Sequence, residues 1–165
     1  MKLVKSPDPW LEKVVKEFDF DALDAKSIAQ EMINLMTAEG GIGLSANQVA
    51  LDAQILVMKP HLLENKEPFA MINPVIESVT INMENMPEGC LSFPKVYVKV
   101  TRPKEILVKY YDENLKEVST KVIGYSAKCF LLYLSKKHNP YYLHFPNELL
   151  NLELLSSFLP YHLVF

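Results

Sequence analysis

The stretch DALDAKSIAQEMINLM, Asp21 to Met36, decides how this chain is read. Ala22, Ile28, Met32, Leu35 and Met36 recur at near-helical spacing, and either Asp21 or Asp24 is placed to cap the start. Gly40, Gly41 and Gly43 follow at once, so the helix stops and a loop begins. Beyond that loop the period changes. Gln54 to Met58, Phe69 to Ile72, Val75 to Asn82, Val96 to Thr101, Glu105 to Tyr111 and Glu117 to Val122 read as short strands. Asn73-Pro74, Arg102-Pro103 and Asp112-Glu113-Asn114 read as turns between them, and Pro60 to Pro68 as a polar loop. One helix followed by several short strands predicts an α+β fold, with the helix packed on a mostly antiparallel sheet.

The chain has 165 residues, enough for one domain with a single core. A net charge of −3 gives no electrostatic reason to expect nucleic acid or an anionic membrane as partner. Two cysteines, Cys90 and Cys129, are too few for a disulfide framework and fit a reducing, cytoplasmic setting. No apolar run reaches the length of a signal or a membrane span, so neither secretion nor insertion is expected.

The composition shifts after Gly124. From Tyr125 to Phe165 there is no Gly and no Asp, but there are eleven leucines and nine aromatic residues. Tyr125 to Lys137 contains nothing that breaks a helix and is read as one. Residues 131–165 form a divergent segment, set apart from a domain spanning residues 1–130. Two readings of it stand: an extra helical layer, or a tail of unrelated origin such as a frameshift leaves.

Two segments carry chemistry. Gly41-Ile42-Gly43-Leu44-Ser45-Ala46-Asn47-Gln48 has the form G-x-G-L-x-A-x-Q. Its glycines let backbone approach a ligand, and Gln48 offers an amide that can donate to a carbonyl oxygen. No Lys-Ser/Thr pair follows and no strand precedes it, so it is neither a P-loop nor a dinucleotide fingerprint. Glu88-Gly89-Cys90-Leu91-Ser92 sets a cysteine between Gly and Leu on a turn, as a thiolate ligand, a nucleophile or a packed thiol. A cysteine hydrolase built on Cys90 would need a nearby histidine, and none lies between His61 and His138.

Together these segments resemble the peptide deformylases, whose G-x-G-L-A-A-x-Q loop is matched with Ser45 in place of an Ala and whose E-G-C-L-S turn is matched in full. Ile72-Asn73-Pro74, Thr101-Arg102-Pro103 and Ala127-Lys128-Cys129-Phe130 fall in the same order and approximate spacing. The resemblance implies metal-dependent hydrolysis of the formyl group from the N-terminal methionine of nascent polypeptides, in a bacterial, organellar or phage-like setting, with ribosome-associated nascent chains as the partner to expect. It implies one divalent metal, Fe(II), Zn or Ni, with Cys90 as a ligand. Gln48 and the Leu91 N–H are implied as oxyanion donors. Ile42, Gly43, Glu88 and Gly89 are implied to shape the substrate site.

The family's third motif, Q-H-E-x-D-H, would begin at Leu131. The chain instead reads Leu131-Leu132-Tyr133-Leu134-Ser135-Lys136. The two expected histidine ligands fall on Leu132 and Lys136, and the expected base falls on Tyr133. Leu has no donor atom, and Lys and Tyr are protonated near pH 7. Impaired turnover, a non-catalytic peptide binder and a frameshifted or truncated product are the outcomes this departure predicts.

Overall fold

The structure, a computed structural model, describes residues 1–60 and 67–135, with side chains through residue 132. His61, His138, His144 and His162, and most of the divergent segment, lie outside these residues, as do Lys136 and Lys137 at the end of the expected second helix.

Helix α1 spans Ala25–Ala38. Asp24, the second of the two expected caps, accepts from the Ser27 N–H at 3.0 Å and satisfies one of the open donors of the first turn. Ala25, Ala29, Met32 and Met36 form its buried stripe at i, i+4, i+7 and i+11. The helix ends where Gly40 adopts φ 69°, a left-handed conformation that glycine takes without strain. The Gly40 N–H then donates to Thr37 O at 3.1 Å and the Gly41 N–H to Met36 O at 2.9 Å, the paired bonds of a Schellman stop.

Seven strands follow: β1 Gly43–Ser45, β2 Ile55–Met58, β3 Phe69–Val79, β4 Met83–Cys90, β5 Phe93–Pro103, β6 Glu105–Tyr111 and β7 Glu117–Ile123. Helix α2, Gly124–Ser135, comes last among the described residues. The main sheet has the order β1-β2-β3-β6-β7, and every neighbouring pair is antiparallel. Strands β4 and β5 form a separate antiparallel hairpin. The α+β expectation holds.

Strand β2 shows why the sheet has two cores. Successive strand residues point to opposite faces, and all four residues of β2 are buried. Ile55 and Val57 join Ala29, Met32, Met36 and Leu44 under α1. Leu56 and Met58 join Ile106, Val108, Val122, Phe130 and Leu131 under α2. Helices therefore cover both faces, which is why β2 reads as a continuous apolar run rather than an alternating one. None of the described helices is long and apolar enough to cross a membrane.

Four local expectations are corrected. Asn73-Pro74 is not a turn. β3 runs through it, with Ile72 paired to Tyr111 and Val75 to Lys109, and the register shifts between them. Asn73 has φ 47°, so the pair forms a bulge, a position where a proline lacking its N–H is tolerated in a ladder. Arg102-Pro103 closes β5, and Lys104 alone links it to β6. The Gly41 loop becomes strand β1 and then a single 3-10 turn, Ala46–Val49, because Gly43, Leu44 and Ser45 find partners in Met58, Val57 and Leu56. The Cys90 turn is narrower than read: Cys90 ends β4, opposite Phe93, and only Leu91 and Ser92 turn.

Candidate functional site

Gln48 and Cys90, 42 residues apart in sequence, meet where the 3-10 turn after β1 faces the end of the β4–β5 hairpin. The Gln48 Nε2 lies 3.5 Å from Cys90 Sγ and 3.0 Å from Ser92 Oγ. Its Oε1 accepts from the Ser45 N–H at 3.1 Å and from Ser45 Oγ at 2.9 Å. A backbone N–H can only donate, so the carboxamide has one allowed orientation, with its oxygen on Ser45 and its NH2 towards Cys90. Ser45 and Gln48 also exchange bonds as a capping box around the 3-10 turn.

The N-terminal segment ties the two motifs together. The Val4 N–H donates to Gln48 O at 2.8 Å, and the Ser6 N–H donates to Ser92 O at 3.0 Å. Asn47 Nδ2 donates to Leu11 O at 3.1 Å. Gln48, Ser45, Asn47 and Ser92 are all buried, and these bonds satisfy groups that would be costly to bury alone.

Glu88 is held by Arg102. The guanidinium Nε donates to Oε1 at 2.7 Å and Nη2 to Oε2 at 3.0 Å, a bidentate pair. The side chains are only 2% and 8% exposed. Two residues before Cys90, this pair fixes the hairpin end that carries the cysteine. Gly89 lies opposite Tyr97 in the hairpin register. A second buried cation, Lys128 on α2, sits 3.0 Å from Glu84 on β4 and joins that helix to the same hairpin. The pair is a charge contact, since Lys128 Nζ makes no well-angled hydrogen bond among the described residues.

Two glycines of the first motif are defined by close approach. A Cβ at Gly41 would meet Leu91 Cδ1 at 2.5 Å, so Gly41 seats the side chain that follows the cysteine. A Cβ at Gly43 would run into Cys129 Sγ on α2. Gly43→Ala is therefore expected to overpack the β1–α2 contact and cost about 1–3 kcal/mol. Urea unfolding checks this. In a Cys129→Ala background, where the sulfur is gone, the same change should cost clearly less. An equal cost in both backgrounds would place the strain elsewhere. Ile42, the neighbour of Gly43, is exposed and accepts from the Lys59 N–H at 2.9 Å.

The structure thus brings Gln48, Cys90 and the Leu91 turn together, with Gly41, Gly43 and Glu88 in supporting contacts. Sequence reading missed Ser45 and Ser92 as partners of Gln48, and Arg102 as partner of Glu88. Arg102 had a signal: it is the only arginine in the chain, and a motif glutamate needs a cation if it is buried.

Among the described residues, the donor set around Cys90 does not make up a three-ligand metal centre. Cys90 supplies a thiol. Leu132, on α2 where the resemblance puts a histidine, has no donor atom. Among the described residues, no three His, Cys, Asp or Glu side chains are grouped to hold an ion.

A family model described as polypeptide deformylase matches residues 1–133. The peptide deformylase of Borreliella burgdorferi is 30% identical over 161 residues, covering 96% of this chain and 95% of that protein. The chloroplastic peptide deformylase 1B of rice is 34% identical over 131 residues, covering 79% of this chain; the match spans 49% of the rice protein, about half its length. Among solved structures, a peptide deformylase from Synechococcus elongatus in complex with actinonin superposes with a TM-score of 0.75 at 31% identity, covering 82% of this chain and 74% of that one.

Proposed function

The chain belongs to the polypeptide deformylase family, and from that premise we propose that its site receives the formylated N-terminus of a nascent polypeptide in the cytoplasm, with amide hydrolysis of the formyl group as its class chemistry and with turnover impaired in this chain. The observation that carries the reading is the Gln48 carboxamide, locked by Ser45 with its NH2 towards Cys90 Sγ. A formyl oxygen placed beside Cys90 would meet that donor and the Leu91 N–H, the arrangement that stabilises charge developing on a carbonyl oxygen. The impairment is a matter of donors. A catalytic centre of this class needs three protein ligands and an open position, and Leu132 and Lys136 stand where two of the three belong. The glutamate that would move the proton is replaced by Tyr133, and a positioned base typically contributes ~10²–10⁴-fold.

Peptide binding without turnover is the second reading. It is favoured by the intact cradle, because the Gln48, Ser92 and Glu88–Arg102 contacts do not depend on the missing motif. One experiment tests both. The 165-residue chain is purified with added Fe(II), Ni or Zn, its bound metal is quantified, and binding and hydrolysis of a formyl-Met peptide are measured. Bound metal well below one ion per chain, slow or absent hydrolysis, and binding that weakens in Gln48→Ala are expected. One ion per chain with Cys90-dependent turnover would overturn the impairment, and peptide binding indifferent to Gln48 would overturn the site.

A further inference from the structure

We infer that the open cleft where the ends of β3, β6 and β7 meet binds an organic cation, a guanidinium or primary ammonium group on a short alkyl stem. The cleft measures about 360 Å³, room for such a group and its stem. Glu67, Asp112 and Glu113 stand on its rim, and Phe69, Tyr110 and Val118 line its wall. It shares no residue with the Gln48–Cys90 site and is independent of the function proposed there.

Three acidic residues alone make only a solvated edge. The second observation is Tyr110. Its side chain is 7% exposed and packed in the core beneath α2, yet it also lines the cleft. Its hydroxyl makes no hydrogen bond among the described residues, and it is not among the fully enclosed polar atoms that lack a partner. The hydroxyl is therefore not fully enclosed, and on a residue that lines the cleft it is an acceptor to which a ligand N–H can donate. Burial raises the Tyr110 pKa, and the Asp112 and Glu113 carboxylates push it further the same way, so the hydroxyl stays protonated beside an acidic edge.

The lining chooses among ligands. Anions are repelled by the rim. A neutral apolar molecule would leave the hydroxyl unpaired. An alkyl cation suits all three surfaces. Its charge meets Glu67 and Glu113, its N–H donates to Tyr110, and its stem lies on Val118 and on the Phe69 and Tyr110 rings, whose centroids are 6.2 Å apart. A planar guanidinium gains further from the face of either ring. Asp112 is partly committed, since its Oδ1 already accepts from the Asn114 and Lys116 N–H groups at 2.9 Å, so it adds charge rather than a flexible contact.

The probe is n-butylguanidinium, titrated into the whole chain by calorimetry or by NMR of the β6 and β7 amides, with n-butylurea as the neutral match. Saturable binding of the cation and markedly weaker binding of the urea are expected. Glu67→Gln combined with Glu113→Gln should weaken the cation about fivefold or more, because two partly exposed ion pairs are lost. Tyr110→Phe should weaken it by a smaller factor, and added salt should weaken it in the parent but much less in the double variant. Equal binding of the urea, or no change in the double variant, would overturn the inference. A peptide carrying one arginine, acetyl-Gly-Arg-Gly-amide, decides the source. Binding equal to butylguanidinium assigns the site to a side chain of a polypeptide, and loss of binding assigns it to a free small cation.

Discussion

A chain carrying Leu132→His, Tyr133→Glu and Lys136→His is expected to bind one divalent metal ion per molecule and to hydrolyse a formyl-Met peptide about 10²-fold faster than the parent, or more, the lower end of what a positioned base alone contributes. Positions 132 and 136 are four apart, the spacing that puts two histidines on one helix face. Position 132 lies on α2, which packs against β1, β2 and β5 and so against strands from both halves of the site. Two imidazoles added to the Cys90 thiolate restore three ligands and leave one open position. The glutamate returns the base, and Gln48 already has its orientation. Metal content and turnover are read separately. Full metal with no turnover would mean that the groups orienting the ligands are also missing. Neither metal nor turnover would mean that the residues after Phe130 have displaced the helix itself, and the idea that only ligands are lost would fall.

The parts of the fold legible from the chain are those set by local chemistry. Asp24, the 3.6-residue stripe from Ala25 to Met36 and the Gly40 stop define α1 without help from the rest of the molecule. Strand β6 alternates buried and half-buried residues, and its observed bounds, Glu105 to Tyr111, are those expected. The misread places depend on partners distant in sequence. Pro74 looks like a terminator until β6 pairs on both sides of it. Gly43 to Ser45 look like a loop until β2 offers its edge. Met83 to Cys90 contain Pro87 and Gly89, both poor strand formers, and become a strand only because β5 lies alongside. The site divides in the same way. Gln48 and Cys90 are recognisable from their motifs, whereas Ser45, Ser92 and Arg102 acquire their roles only when the hairpin and the 3-10 turn face each other. A hydroxyl carries no local mark of the partner it will meet, and the sole arginine does not say which carboxylate it will hold.

Arg102→Leu is expected to cost about 3–5 kcal/mol of folding stability, the range for removing one partner of a buried ion pair. The chain also contains an exposed pair, Lys109–Glu117 at 2.8 Å, where water screens both charges and the corresponding change should cost far less. The two pairs have similar distances, so separation does not decide the difference. Solvation does. Glu88 is 8% exposed, and once the guanidinium is gone its carboxylate has neither water nor a counter-charge. It must then be protonated, drag water in or pull the hairpin apart. The last of these moves Cys90, two residues along β4, away from Gln48. Removing both charges avoids that conflict, so Glu88→Leu with Arg102→Leu should recover part of the stability lost in Arg102→Leu alone. Urea unfolding of the parent, both single variants and the double variant measures the cycle. A loss below about 1 kcal/mol for Arg102→Leu would show that water reaches Glu88 freely and that the pair does not hold the hairpin. A double variant no more stable than Arg102→Leu would show that the arginine acts through the packing of its stem rather than through its charge.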